Sequence, residues 1–443
     1  MRSVAESEFV ILGGGLAGLS AGLVLGERAT VVEREARPGG LVRTEYFNGY
    51  WFDRVIHLLH FYDAAIQERV LSIVGDALVP CPSTAWVETD AGVARYPLQM
   101  NLRDLDAEVA TRCIVDLAGV TFDRPARIPA NFEEVLLDTF GKALCETFLF
   151  PYNLKVWKRP LHTLASSALQ WSVTHPDFAR VVRGAIDSTS RFSSYNASGW
   201  YPRPPADSPV RGMEYMTRRL AEKIVNLHLQ NAVEEIDLDA RRVVTRDACG
   251  ETRTLQWGAS CCSTLPLPFT IAKCRQAPQA LKDQCARLLS NRVLTVMLSV
   301  RGSSPENSGH WRYYTDPDLI FNRLIFLDKF DRQLAPAGGW PVLVEITEPA
   351  ETPLSSEAAL IRRAVDDFTR CGAINGGEVI DAHAIVAMPA YVVFTPETEA
   401  IVNQAMDFLR EHGVEPLGRY GRWEYSSMSQ VMNAGFAWAE GVL

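Results

Sequence analysis

Residues 10–33, VILGGGLAGLSAGLVLGERATVVE, decide the fold. The short apolar run Phe9-Val10-Ile11-Leu12 reads as a buried parallel strand. It enters Gly13-Gly14-Gly15-Leu16-Ala17-Gly18 and then a helix of small residues. A second apolar strand, residues 29–32, ends in Glu33 about twenty residues after the first glycine, the spacing of a dinucleotide fingerprint. Each part has a physical reason. Gly13 permits the tight turn, Gly15 lets backbone approach a pyrophosphate, and Gly18 lets helix and strand pack closely. The helix start, at Leu16 and Ala17, offers unpaired N–H groups and the positive end of a dipole to phosphate. Glu33 suits an adenosine ribose and repels a 2′-phosphate. These residues predict a bound dinucleotide.

The next segment, Arg34-Glu35-Ala36-Arg37-Pro38-Gly39-Gly40-Leu41-Val42-Arg43-Thr44, narrows the choice. A second glycine pair followed by a cation suits FAD, whose pyrophosphate and ribityl chain need further backbone approach. The run resembles the GG-x-x-R-T signature of the flavin amine-oxidase-like superfamily. On that resemblance Arg34, Gly39, Gly40, Leu41 and Arg43 join the cofactor set.

Composition limits the alternatives. The 443 residues predict two or three domains, and 47% apolar with 22% charged residues suffices for sizeable cores. A net charge of −9 argues against a nucleic-acid partner, so an anionic substrate must be met by local arginines. Nine cysteines without a CxxC pair read as reduced thiols of a cytoplasmic protein. The polar residues 1–8 do not read as a leader, and no apolar run reaches the ~18–20 residues that span a bilayer. No metal-ligand pattern stands out.

Patterning predicts helices over 63–79, 102–119, 131–150, 164–186 (broken at Pro176), 213–226, 354–371 and 428–441. Strands are expected at 85–96, 232–237, 242–247, 252–256, 259–265, 293–300, 311–315, 319–327, 341–347 and 378–388. The expected fold is α/β. A Rossmann-like FAD-binding domain (1–62, 205–290 and 415–443) carries an inserted helical domain (100–200) and an antiparallel-sheet substrate domain (63–99 and 291–414).

Further motifs carry a more specific resemblance. Pro151-Tyr152-Asn153-Leu154-Lys155-Val156-Trp157 and Gly418-Arg419-Tyr420-Gly421-Arg422-Trp423-Glu424-Tyr425 resemble the PYN-x-KVW and G-R-[YF]-G-x-W-x-Y motifs of UDP-galactopyranose mutases, especially the eukaryotic branch. Tyr313 with Arg323, Tyr391, and Tyr96 with Gln99 fall where that family keeps substrate contacts. The likeness covers most of the chain in patches. It implies an isomerase that interconverts pyranose and furanose forms of a nucleotide-diphosphate hexose, UDP-galactose-like or GDP-linked. Reduced FAD is then the nucleophile, attacking the anomeric carbon through N5, and a reductant must prime it. Arg323 and Arg419 would stabilise the departing diphosphate. Tyr313, Tyr391 and Tyr425 would add neutral donors. Tyr96, Gln99, Asn153 and Trp157 would hold the nucleoside, while Gly418, Arg419 and Ser429 close on the flavin. Arg422 reads as a solvated cation, and His60 as structural.

Two departures stand out. The family's Gly-Gly-His turn reads Val55-Ile56-His57 here, and β-branched residues do not take positive φ easily. The W-x-x-x-R element reads Trp171-Ser172-Val173-Thr174-His175, leaving histidine where the arginine is expected. His57 and His175 are therefore the candidate catalytic imidazoles. With Leu98 in place of an aromatic, these changes suggest a divergent branch with another sugar or nucleotide. The alternatives are an FAD-dependent oxidase or desaturase of the wider superfamily and a non-catalytic flavin or nucleotide-sugar binder. Oligomeric state leaves no local motif.

Overall fold

A computed structural model describes residues 4–123, 127–169, 174–187, 189, 191–193 and 197–443. The opening strand Val4–Leu12, helix Leu16–Leu25 and strand Ala29–Val32 form the expected β–α–β unit. Gly13, at φ 104°, turns the chain while its N–H donates to the Val32 carbonyl (2.8 Å). The helix is buried along nearly its whole length, which its small residues allow. A Cβ on Gly18 would collide with the Gly13 carbonyl, and one on Gly435 with the Ala17 carbonyl. The final helix, Met428–Val442, therefore packs directly on the first, launched by a Ser427–Gln430 capping box.

The unit sits in a seven-stranded sheet. The order runs Asn231–Asp237, Arg242–Asp247, Thr252–Ser263, Val4–Leu12, Ala29–Val32, Leu227–His228, with Val414–Pro416 pairing on Thr252–Ser263. The two strands expected at 252–256 and 259–265 are one. Its first part pairs antiparallel with Arg242–Asp247, and its last residues run parallel to Val414–Pro416. The strand runs on through Gly258, where its register with Val4–Leu12 shifts between Ser7 and Phe9.

The second seven-stranded sheet has the order Glu378–Val392, Ser290–Arg301, Gly339–Pro349, Arg323–Phe326, Trp311–Tyr314, Ala85–Thr89, Gly92–Arg95. It is antiparallel except where Trp311–Tyr314 runs parallel to Ala85–Thr89. The single strand expected over 85–96 is a hairpin turned at Asp90-Ala91, with Gly92, φ 128°, opening its second strand. One sheet face (Leu294, Val296, Leu298, Val344) packs under helix Glu357–Arg370. The opposite parity, Met297, Leu343 and Ile325, joins the core of the dinucleotide unit. The face between the two units therefore holds any side chains that must meet both.

Helices Ala107–Phe122, Phe132–Phe140, Phe150–Trp157 and Phe178–Ile186 share a core around Cys113, Leu117, Phe132 and Phe140. Several expected helices are shorter. The stretch 63–79 stops at Val74, capped by Gly75, and Leu78–Pro82 is a strand paired with Ser198–Pro202. The 213–226 helix is Glu214–Ala221. Among the described residues of 164–186 only Phe178–Ile186 is α-helical, preceded by a 3-10 turn at Ser166–Leu169, and Trp171 lies outside the described residues. Helix Thr398–Glu411 was not foreseen. No helix among the described residues is long and apolar enough to cross a membrane.

Candidate functional site

The glycine loop and the segment after Glu33 form one cradle. Gly39, at φ 111°, donates its N–H to the Gly14 carbonyl (2.8 Å), and a Cβ on Gly40 would lie 3.4 Å from the Gly15 Cα. Above Gly15 itself nothing lies within 4 Å of a notional Cβ, so backbone is open to a ligand at the helix N-cap. The Glu33 carboxylate is buried at the end of its strand and accepts from Gly14 N (2.8 Å) and Glu35 N (2.9 Å). Arg34 points away: its side chain is 70% exposed and pairs with Glu35.

Arg43 behaves oppositely. It is buried, its nearest carboxylate is Glu35 at 3.6 Å, and its Nε has no hydrogen-bond partner. Burial and then the neighbouring Arg54 lower its pKa. A buried guanidinium with an idle donor beside an open glycine loop suits an anionic or carbonyl-bearing ligand. Gly418, at φ 72°, brings the C-terminal motif against this cradle: its notional Cβ would lie 2.9 Å from that of Ala17. Leu16 and Ala17 are buried, as is Ser429, whose hydroxyl is 3.3 Å from that of Ser427. Leu41 packs with Val55 and Tyr391 against Val293, Ala387 and Ala390. Neither Val55 nor Ile56 takes positive φ, so the backbone here follows a path open to β-branched residues.

On the sheet face between the units, ladder register places Thr295, Glu345, Arg323 and Tyr313 in one transverse row. Arg323 donates to Glu345 Oε2 from Nη2 (2.6 Å) and Nε (3.2 Å). Tyr391 donates to Glu345 Oε1 (3.0 Å) and lies 3.4 Å from Arg323 Nη2. Burial alone lowers the Arg323 pKa, but Glu345 and Tyr391, Tyr152 and Tyr313 carry it well above the usual value. The Tyr313 ring lies 5.8 Å from the Arg323 guanidinium, with Tyr96 at 5.3 Å and Tyr152 at 5.1 Å from Tyr313.

Arg419 closes the cluster. Its guanidinium stacks 4.0 Å from the Tyr425 ring and 5.8 Å from Tyr391 and Tyr420, and donates to the Ala390 carbonyl (3.1 Å). Its Nε is buried without a partner. Burial, then the Arg419 charge, pushes the His57 pKa down to about 3, so this imidazole stays neutral. Its Nδ1 is likewise buried without a partner. Idle buried polar atoms on Arg43, His57, Arg419 and Thr295 therefore belong to this region.

The structure thus joins His57, Tyr96, Tyr313, Arg323, Tyr391, Arg419 and Tyr425. It treats other expected residues differently. Asn153 Nδ2 donates to the Leu149 carbonyl (2.7 Å), and its Oδ1 accepts from Trp157 Nε1 (3.0 Å), so both are committed inside their helix. Trp157 sets its ring edgewise to Tyr391, 6.5 Å away. Gln99 is buried and donates to the Thr174 carbonyl (2.6 Å). His175 is exposed and stacks on Phe140, outside the tyrosine–arginine contacts. Leu98 is core. Arg422 pairs with Glu424 (3.4 Å). Sequence reading missed Glu345, Tyr152 and Tyr420. A lone carboxylate in the apolar run Pro341-Val342-Leu343-Val344-Glu345 was the available sign of the first.

Comparisons with known proteins agree with this architecture. Residues 11–73 match a family described as an NAD(P)-binding Rossmann-like domain. A crystal structure of reduced UDP-galactopyranose mutase matches with TM-score 0.88 at 20% identity, over 98% of this chain and 93% of that one. A protein assigned as a protoporphyrinogen oxidase, from Exiguobacterium, matches with TM-score 0.70 at 16% identity, over 100% and 99%. Putrescine oxidase bound to putrescine matches with TM-score 0.61 at 12% identity, over 99% of each chain. Identities this low establish the fold: a Rossmann-like dinucleotide-binding domain joined to a second, largely antiparallel sheet. The chemistry must be argued from the site.

Proposed function

We propose that this chain is an FAD-dependent enzyme that interconverts the pyranose and furanose forms of a nucleotide-diphosphate hexose, acting in the cytoplasm. The observation that carries the reading is the convergence of Arg323, Arg419 and Tyr313, Tyr391 and Tyr425 beside the glycine cradle. A protein of net charge −9 has gathered half-buried cations and hydroxyl donors at one point, as a diphosphate requires. Gly13, Gly15, Gly18, Glu33, Gly39, Gly40 and Arg43 would hold the FAD. Arg43 Nε and Arg419 Nε are the unpaired donors available to it or to the substrate. Reduced FAD supplies a nucleophilic ring nitrogen for the anomeric carbon.

The chain's own residues do the rest. Arg323 and Arg419 bind the diphosphate and stabilise its charge as the anomeric bond breaks. Glu345 holds Arg323 by two hydrogen bonds to one oxygen, fixing the guanidinium plane. Tyr313 and Tyr391 orient the phosphates without adding charge. His57, held neutral, keeps an imidazole nitrogen available for a hydrogen bond at the cofactor side.

The test is incubation of the purified protein with UDP-galactose and with GDP-hexoses, with and without dithionite, read by ion-pair chromatography and proton NMR. The expected result is a furanose isomer of equal mass, formed faster after reduction. Oxygen consumption on an amine or apolar substrate without any isomer would move the assignment to the oxidase reading that two of the structural matches favour. Binding of nucleotide sugar without turnover would make the protein a binder.

A further inference from the structure

Behind the cradle lies a carboxylate that the proposed chemistry does not use. Asp53 is 1% exposed and ends strand Tyr50–Asp53, directly across the hairpin from Thr44. Its Oδ1 accepts from Thr44 Oγ1 (2.6 Å) and Met213 N (3.0 Å), and its Oδ2 from Tyr201 OH (2.8 Å). Gly212, at φ 65°, permits this approach: a Cβ there would lie 2.5 Å from Asp53 Oδ1 and 2.6 Å from Thr44 Oγ1. The neighbouring buried Glu214 also holds Thr44, accepting from its N–H (3.0 Å), but it is balanced by Arg37 (2.8 Å) and Arg218 (3.0 Å). Asp53 has no such partner among the ion pairs of the described residues. Thr44 directly follows Arg43, and His57 lies four residues beyond Asp53, so one carboxylate joins both arms of the cradle.

We propose that Asp53 is a positioning residue tying the Arg43 arm to the His57 arm, and that FAD binds more weakly once Asp53 takes up a proton. The proposal rests on the FAD reading above. An ionised carboxylate accepts all three donors. A protonated one must donate, and the Met213 N–H has no means to accept, so the Tyr201 or the Thr44 hydroxyl must turn and the carboxyl group keeps only two of its three donors.

The charges facing Asp53 set where this happens. Burial raises its pKa to about 6, against the hydrogen bonds from Thr44, Met213 and Tyr201 and with help from the Glu214 charge. Beyond Tyr201 stand Asp331 and Cys81, while Arg54 turns to Glu45 (2.6 Å). His57 stays neutral through this range. If FAD needs the ionised form, affinity falls as pH drops below that value, by about tenfold between pH 7 and pH 5.

The experiment measures FAD release from the purified holoprotein on dilution, by recovery of flavin fluorescence, across pH 5–7.5. Asp53→Asn mimics the protonated carboxyl, with one acceptor and one donor. We expect it to hold FAD weakly at every pH, near the wild-type value at pH 5. A variant that keeps the wild-type pH profile, or a flat wild-type profile, overturns the positioning role and leaves the FAD reading standing. Purification without flavin, and no binding of added FAD, overturns the FAD reading and this proposal together. Tyr201→Phe removes one donor and keeps the carboxylate, so it serves if Asp53→Asn does not fold. Its profile midpoint should move to higher pH; an unmoved midpoint counts against the proposal.

Discussion

The glycine cradle and the tyrosine–arginine face are built by opposite means. The cradle is backbone: Gly13, Gly39 and Gly40 at positive φ, and Gly15 and Gly18 where a side chain would fill space or collide. Most of it lies within about thirty consecutive residues. The sheet face is side chain, assembled from strands Ser290–Arg301, Trp311–Tyr314, Arg323–Phe326, Gly339–Pro349 and Glu378–Val392 plus the C-terminal motif. A backbone site is written in local spacing. A side-chain site depends on which residues the ladder sets opposite one another, and that register is not local.

The difference predicts that the two regions fail separately. Arg323→Ala should have the largest effect, because it leaves Glu345 buried without its cation. Removing one partner of a buried pair costs about 3–5 kcal/mol of fold stability, and losing a cation that meets charge developing in the transition state should lower kcat/KM for isomerisation by about 10²–10³-fold. Bound-flavin absorbance should persist, since no Arg323 contact reaches the cradle. Loss of flavin from this variant would mean that the two regions are one cooperative unit.

The cradle can be divided further. Gly18→Val should destabilise the fold itself, because its Cβ meets the Gly13 carbonyl. Gly15→Ala meets nothing, and Gly15 sits at φ −77°, which any residue adopts. Its apo melting temperature should be unchanged while FAD affinity drops by about 1–3 kcal/mol from the added methyl. Equal loss of stability in both variants would show that Gly15 serves packing rather than ligand approach.

This contrast also explains what the sequence disclosed. The β–α–β unit and its turn were legible because glycine and apolar spacing carry physical meaning over short distances. The meeting of Arg323 with Tyr391 was legible only through resemblance to a motif set. Glu345 was not, because Pro341-Val342-Leu343-Val344-Glu345 reads as an apolar strand until its register with Arg323 is known. The non-helical backbone at 174–177 follows from Pro176, whereas the merging of 252–256 with 259–265 turns on tertiary context, which propensity does not hold. His175 shows the same limit from the other side. Its place in a motif made it a candidate catalytic imidazole, whereas the structure seats it, exposed, on Phe140.

Asn153 sharpens the comparison at its smallest scale. Motif resemblance gives it a nucleoside contact, whereas the structure spends its amide on Leu149 and Trp157. Asn153→Ala would remove its buried hydrogen bonds to Trp157 Nε1 and the Leu149 carbonyl, costing about 1–2 kcal/mol of stability. Trp157 packs edgewise on Tyr391, so the ring that supports Tyr391 would loosen as well. The expected signature is a lower melting temperature with KM for the nucleotide sugar within about twofold of wild type, because no direct contact is lost. A raised KM at unchanged stability would reverse this reading. It would make Asn153 a residue of the binding surface, with the internal hydrogen bonds giving way when substrate arrives.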